Sequence, residues 1–83
     1  MQAEIFPASM RLHRVEPARN MRRFYRLSLQ AELFGGWALM REWGRIGSPG
    51  TVRIDQHADE GSALDALRTH AARKARRGYV AAD

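Results

Sequence analysis

The chain has 83 residues and no cysteine, and its net charge of +5 comes from 14 basic residues of which Lys74 is the only lysine. One domain of this length buries only roughly 60–65% of the surface its unfolded chain exposes, which argues against a deep catalytic cleft and against an enzyme. Without cysteine there is neither a disulfide framework nor a thiolate zinc site. His13, His57 and His70 stand too far apart in sequence to form a local ligand pair, so neither metal nor cofactor is expected.

The opening MQAEIFPASM lacks the basic and apolar regions of a leader peptide, and no apolar run is long enough to span a bilayer, so a cytoplasmic monomer away from membranes is expected. The stretch MRLHRVEP then alternates briefly and should end as a strand at Pro17, which has no N–H to give a ladder. RRFYRLSLQ is the clearest strand. Tyr25, Leu27 and Leu29 point to one face, and Phe24, Arg26, Ser28 and Gln30 to the other. Gly35 and Gly36 supply a turn, and residues 37–42 return as the second arm of a hairpin. In TVRIDQ, Val52 and Ile54 alternate with Thr51, Arg53 and Asp55.

The period then changes. Leu64, Leu67, Ala71 and Ala75 recur at intervals of 3, 4 and 4, the stripe of a helix lying on a sheet. Asp59 or Ser62 caps its start, Gly78 ends it in a left-handed conformation, and Tyr79 folds back onto the core. His70, Arg73, Arg76 and Arg77 fall on the side away from the stripe, where they are either a solvated last turn or a phosphate-facing patch. Lys74 flanks the stripe, and Arg68, at its border, must snorkel or find a carboxylate. The fold expected is α+β, a small twisted antiparallel sheet of about four strands with one long C-terminal helix packed across it.

REWGRIGSPG, residues 41–50, is the unusual segment. Pro49 and Gly50 suit the second and third positions of a type II turn in SPGT, while Gly44 and Gly47 leave bare backbone on either side of Ile46. Trp43 beside Arg45 is either a core residue or an aromatic platform next to a guanidinium, the pairing that holds an unpaired base together with its phosphate. Arginine's planar fork suits phosphate recognition, which points the basic composition toward nucleic acid. A GC-rich coding bias would enrich arginine too, but not the net charge.

WGR at residues 43–45, followed by IGSPG, preceded by FYRLSL and W.L.REW, and closed by AL at residues 63–64 and K.RRGY at residues 74–79, resembles the WGR domain. This family occurs in eukaryotic poly(ADP-ribose) polymerases and in many small bacterial proteins. The resemblance covers about residues 12–79 of a single domain spanning 1–83. It implies a twisted antiparallel sheet with a helix across it, and nucleic-acid binding. In the polymerases the tryptophan packs near the 5′-terminal nucleotide of a DNA break, and the arginine contributes to DNA and interdomain contacts. By that match Trp43, Gly44 and Arg45 form the centre of a site for DNA ends, possible 5′-phosphorylated ends included. Asn20 is the nearest counterpart of an asparagine that helps hold the 5′ phosphate in some relatives. Arg73, Arg76 and Arg77 are the candidate backbone contacts. These residues include no polymerase, helical regulatory or zinc-finger domain, so an interdomain role for Arg45 has no counterpart in the chain.

Two other classes compete. GRIG and GSPG match the GxxG clamp of KH domains literally, but that clamp joins two helices and strands flank it here. A protein-interaction module is the stronger rival, since Trp37, Trp43 and the arginines are typical anchors for a partner's acidic surface. A concave basic surface shared by Trp43, Arg45 and Asn20 would favour nucleic acid; a flat apolar patch would favour protein. No catalytic set is recognisable, and Glu42 reads as a strand-exposed partner for an arginine.

Overall fold

The longest alternation in the sequence becomes the central strand of the sheet. The computed structural model describes residues 9–82; residues 1–8, most of the stretch read for a leader, lie outside them, as does residue 83. Strand β1 is Ser9–Glu16, β2 is Met21–Ala31, β3 is Trp37–Arg45 and β4 is Thr51–His57. Helix α1, Glu60–Arg76, follows, and a short β5, Val80–Ala81, closes the chain. All neighbours pair antiparallel in the order β4-β3-β2-β1-β5.

The fifth strand is an addition to the four expected. Val80 and Ala81 pair with His13 and Leu12, and the Ala82 N–H donates to the Arg11 carbonyl at 2.8 Å. Two residues are too few to show an alternation, which is why periodicity misses them.

On β2 the alternation holds. Tyr25, Leu27 and Leu29 face α1 and are buried with Leu12, Leu39, Ala63, Leu67 and Tyr79 in one core. The helix begins as the capping rule requires, with the Asp59 carboxylate accepting from the Ser62 N–H at 2.7 Å, so Asp59 and not Ser62 is the cap. That bond holds the Asp59 carboxyl below its ordinary pKa. The helix ends at Gly78, at φ +94°: the Gly78 N–H donates to the Ala75 carbonyl and the Tyr79 N–H to the Lys74 carbonyl, the two bonds of a Schellman ending. Tyr79 is thereby folded back edge-on to Tyr25, ring centroids 6.4 Å apart.

Two expectations change. The buried stripe of α1 runs through Ala63 and Leu67 and on to the partly buried His70, Ala71 and Lys74, while Ala75 is exposed. It is rotated by roughly half a residue step of 100° from the purely apolar reading. The cause is Lys74, whose ammonium lies 4.6 Å from the Tyr25 ring centroid and 5.3 Å from that of Tyr79. A cation over two aromatic faces packs inward at little cost, and hydropathy does not register it. The rotation leaves Arg68 exposed, with no ion pair among the described residues.

The bend after β3 is the second. The turn falls three residues earlier than SPGT, on residues 45–48. The Ser48 N–H donates to the Arg45 carbonyl at 3.0 Å across Ile46 and Gly47, and Gly47 takes φ +89°. Gly50 is not left-handed; it is needed for room, because a Cβ there would lie 2.6 Å from the Trp43 carbonyl oxygen and 2.7 Å from Cζ of Phe24. Residues 43–45 continue strand β3: Trp43 pairs with Tyr25, Gly44 with Phe24 and Arg45 with Arg23.

Candidate nucleic-acid interface

Because side chains alternate along a strand, Trp37, Leu39, Arg41, Trp43 and Arg45 all project toward the helix side of β3. Past the turn of α1 that covers Leu39, this row continues as a basic strip whose floor is Tyr25. The Trp43 ring stacks on Tyr25 with centroids 5.9 Å apart and planes 24° apart, so one face of the indole joins the core. The residue remains only partly buried, and recesses open beside it. The core reading of Trp43 thus holds in part: its packing contributes to the fold, and its remaining surface lines the recesses.

The first recess, about 340 Å³, is lined by Tyr25, Arg41, Trp43, His70, Arg73, Lys74 and Arg77. The second, about 470 Å³, is lined by Arg23, Trp43, Gly44, Arg45, Lys74 and Tyr79. Trp43 and Lys74 belong to both. Arg41 donates to Asp55 at 3.0 Å and to the Tyr25 hydroxyl at 3.4 Å, and its guanidinium carbon lies 5.5 Å from the Trp43 ring centroid. Burial pushes the Asp55 carboxyl up, but hydrogen bonds and charge from Arg41 and from Arg53 outweigh it and hold the group below its ordinary pKa.

The electrostatics of the strip are one-sided. Burial, then Arg77, Arg23 and Arg41, lower the pKa of Lys74; burial, then Arg41 and Arg73, lower that of His70. Burial is the larger cause in both, and the arginines add to it; that contribution marks a place where an anion would be welcome.

Arg45 is exposed and held in place. Its guanidinium donates at 3.1 Å to the Asn20 carbonyl and at 3.1 Å to the Asn20 side-chain oxygen. Asn20, in the tight β1–β2 connection, is left-handed at φ +50°, a conformation asparagine tolerates better than most residues. Of the residues singled out in the sequence, the structure therefore brings Trp43, Gly44 and Arg45 to one concave wall, with Asn20 behind Arg45. Arg73 and Arg77 reach the same strip, and Arg76 lies round the helix beside Arg68, Thr69 and Ala72. Glu42, on the opposite face, pairs with Arg26 at 3.1 Å.

His70, read with the helix arginines as a solvated or phosphate-facing group, lines the first recess; Arg23, Tyr25, Arg41 and Lys74 line the recesses too and were not read as contacts. Three of them join through the hairpin: its loop spans residues 32–36, not Gly35 and Gly36 alone, and Ala31 opposite Trp37 sets Tyr25 against Trp43 and Arg23 against Arg45, with Arg41 two residues from the tryptophan on the same face.

Five antiparallel strands crossed by one helix make a small α+β domain, with a tryptophan and an arginine at alternate positions on the wall of a basic recess. The sequence matches the family described as WGR domain over residues 8–83, and the chain belongs to that family. It is 39% identical over 77 residues to a Sinorhizobium fredii (strain NBRC 101917 / NGR234) protein described as "Uncharacterized protein y4dW", a match covering 88% of this chain and 36% of that protein. The chain thus spans little more than a third of the length of that relative. No solved structure matches it. No helix among the described residues is long and apolar enough to cross a membrane.

Proposed function

We propose that this chain is a non-catalytic, cofactor-free DNA-binding module that recognises strand ends at Trp43. The observation that carries the reading is the concave strip itself: Trp43 walls two recesses, Arg23, Arg41, Arg45, Arg73, Lys74 and Arg77 surround it, and Asn20 steadies Arg45. A flat apolar patch would have suited a protein partner; a basic recess against an aromatic edge suits a terminal nucleotide and its phosphates. In this reading the terminal base or sugar lies against the free surface of Trp43, and the remaining donors of Arg45 reach the adjoining phosphate. Gly44 lets the strand backbone sit close to the Gly50 bend, a Cβ there meeting the Gly50 Cα at 3.1 Å.

The deciding experiment compares a closed circular duplex with linear duplexes carrying 5′-phosphate or 5′-hydroxyl ends, at two salt concentrations. Linear duplexes are expected to bind more tightly, and the 5′-phosphorylated ones most tightly. Equal affinity per site for circle and ends would remove the end-recognition reading.

Salt dependence tests the helix. Each phosphate neutralised on B-DNA contributes a slope of about 0.9 in log affinity against log salt, so replacing Arg73, Arg76 and Arg77 together by Gln should flatten the slope by about that amount for each phosphate these arginines neutralise. An unchanged slope would make that helix end a solvated surface. Arg45→Lys keeps the charge but not the fork, and is expected to weaken binding to ends several-fold more than binding to the circle.

A further inference from the structure

His70 is the member of the strip whose ordinary pKa lies closest to neutral. It lines the first recess with Trp43 and Lys74, under the influence of charges from three directions. From β3 comes Arg41; from β4 comes the carboxylate Asp55, already engaged by Arg41 and by Arg53 at 3.3 Å; from its own helix come Arg73, Lys74 and the lining Arg77. Tyr25, from β2, forms the floor. Cations dominate, and burial adds to them, so the unliganded imidazole sits below its ordinary pKa and is mainly neutral at pH 7.

We infer that this recess receives a second phosphate group of the strand held at Trp43, and that His70 takes up a proton from solvent as the phosphate enters. The inference rests on the strand-end reading above and adds to it a specific ligand group and a proton. Two recesses meeting at Trp43 and Lys74 let one strand place phosphates on both sides of the ring, with Lys74 serving each. The proton balance is simple: neutral imidazole plus one proton gives imidazolium, and no other bond forms or breaks. An anion in the recess opposes the field of Arg41 and Arg73 and raises the imidazole pKa in the complex above that in the free protein. As pH falls through the pKa of the complex, the complex gains a proton that the free protein does not. Affinity therefore rises as pH falls, by at most tenfold per unit, until the free protein protonates as well.

The test is calorimetric titration of the whole chain with linear duplexes at pH 7.5, in buffers of different ionisation enthalpy, together with affinities between pH 6.5 and 8. This window stays above the region near pH 6 in which a terminal phosphate itself titrates. Proton uptake on binding and a several-fold gain in affinity toward pH 6.5 are expected. His70→Gln should remove the uptake and flatten the profile. Uptake with both 5′-hydroxyl and 5′-phosphate duplexes assigns the recess to an internucleotide phosphate; uptake with the phosphorylated duplex alone assigns it to the terminal one. Following the imidazole ring resonances of the native protein by NMR gives the same answer without a variant, as a rise in the His70 pKa on binding. End-selective binding without uptake, or uptake that persists in His70→Gln, overturns the inference and leaves the strand-end reading standing. Equal binding of circle and ends removes both.

Discussion

Trp43→Ala should weaken binding to duplex ends by about five-fold to more than a hundred-fold, the worth of roughly 1–3 kcal/mol for a base stacked on an aromatic side chain. Binding to a closed circle should fall much less. The variant should also melt at a lower temperature, because one face of the indole stacks on Tyr25 and packs against the core. Partial burial keeps that loss below the roughly 3–5 kcal/mol typical of a fully buried aromatic. Binding must therefore be measured well below the melting midpoint of the variant. Trp43→Phe retains an aromatic surface and should lose less on both counts. A folded Trp43→Ala protein that discriminates ends from circle as well as the native chain does would end the platform reading.

Gly50→Ala should destabilise the fold by about 1–3 kcal/mol, the range for an atom forced into a packed site. The added methyl would meet the Trp43 carbonyl oxygen, the edge of the Phe24 ring and Cγ of Glu42 at 2.6, 2.7 and 3.2 Å. The first is strand backbone, which cannot withdraw without disturbing the pairing of β3, and the second belongs to a buried ring. Gly47→Ala is the matched comparison: nothing lies within 4 Å of its added carbon, and only φ +89° opposes it, at about 1 kcal/mol. Thermal melts of the two variants distinguish crowding from backbone strain. Equal midpoints would mean that the packing around Gly50 yields to a methyl group.

Much of the fold can be read from residue order where burial follows period. Tyr25, Leu27 and Leu29 alternate and are buried, and the signals at Asp59 and Gly78 mark both helix ends. The reading fails where polar contacts decide orientation. On β4 the apolar pair Val52 and Ile54 lies on the face away from the helix, 52% and 53% exposed. The helix side is occupied by Arg53 and Asp55, and Asp55 accepts from both Arg41 and Arg53. On α1, Lys74 turns inward over two tyrosines and carries His70 with it. The candidate site shows the same division. Trp43, Gly44 and Arg45 stand out as a motif, whereas Arg23 and Arg41 join them only through hairpin register. Asn20 meets Arg45 across 25 positions, a separation that no local spacing reveals.

The contact between Asn20 and Arg45 also bears on when conformational freedom is lost. A free arginine on a protein surface samples many rotamers, and halting them at the moment of binding costs about 0.5–1.5 kcal/mol of affinity for each immobilised side chain. Here that ordering takes place during folding, when the left-handed Asn20 presents its carbonyl and its side-chain oxygen to one guanidinium. Two of arginine's five donors are committed to this brace, and three are left at fixed angles for a ligand. The chain thus meets its partner with one arm already set, so the entropy of that arm counts against stability instead of against affinity.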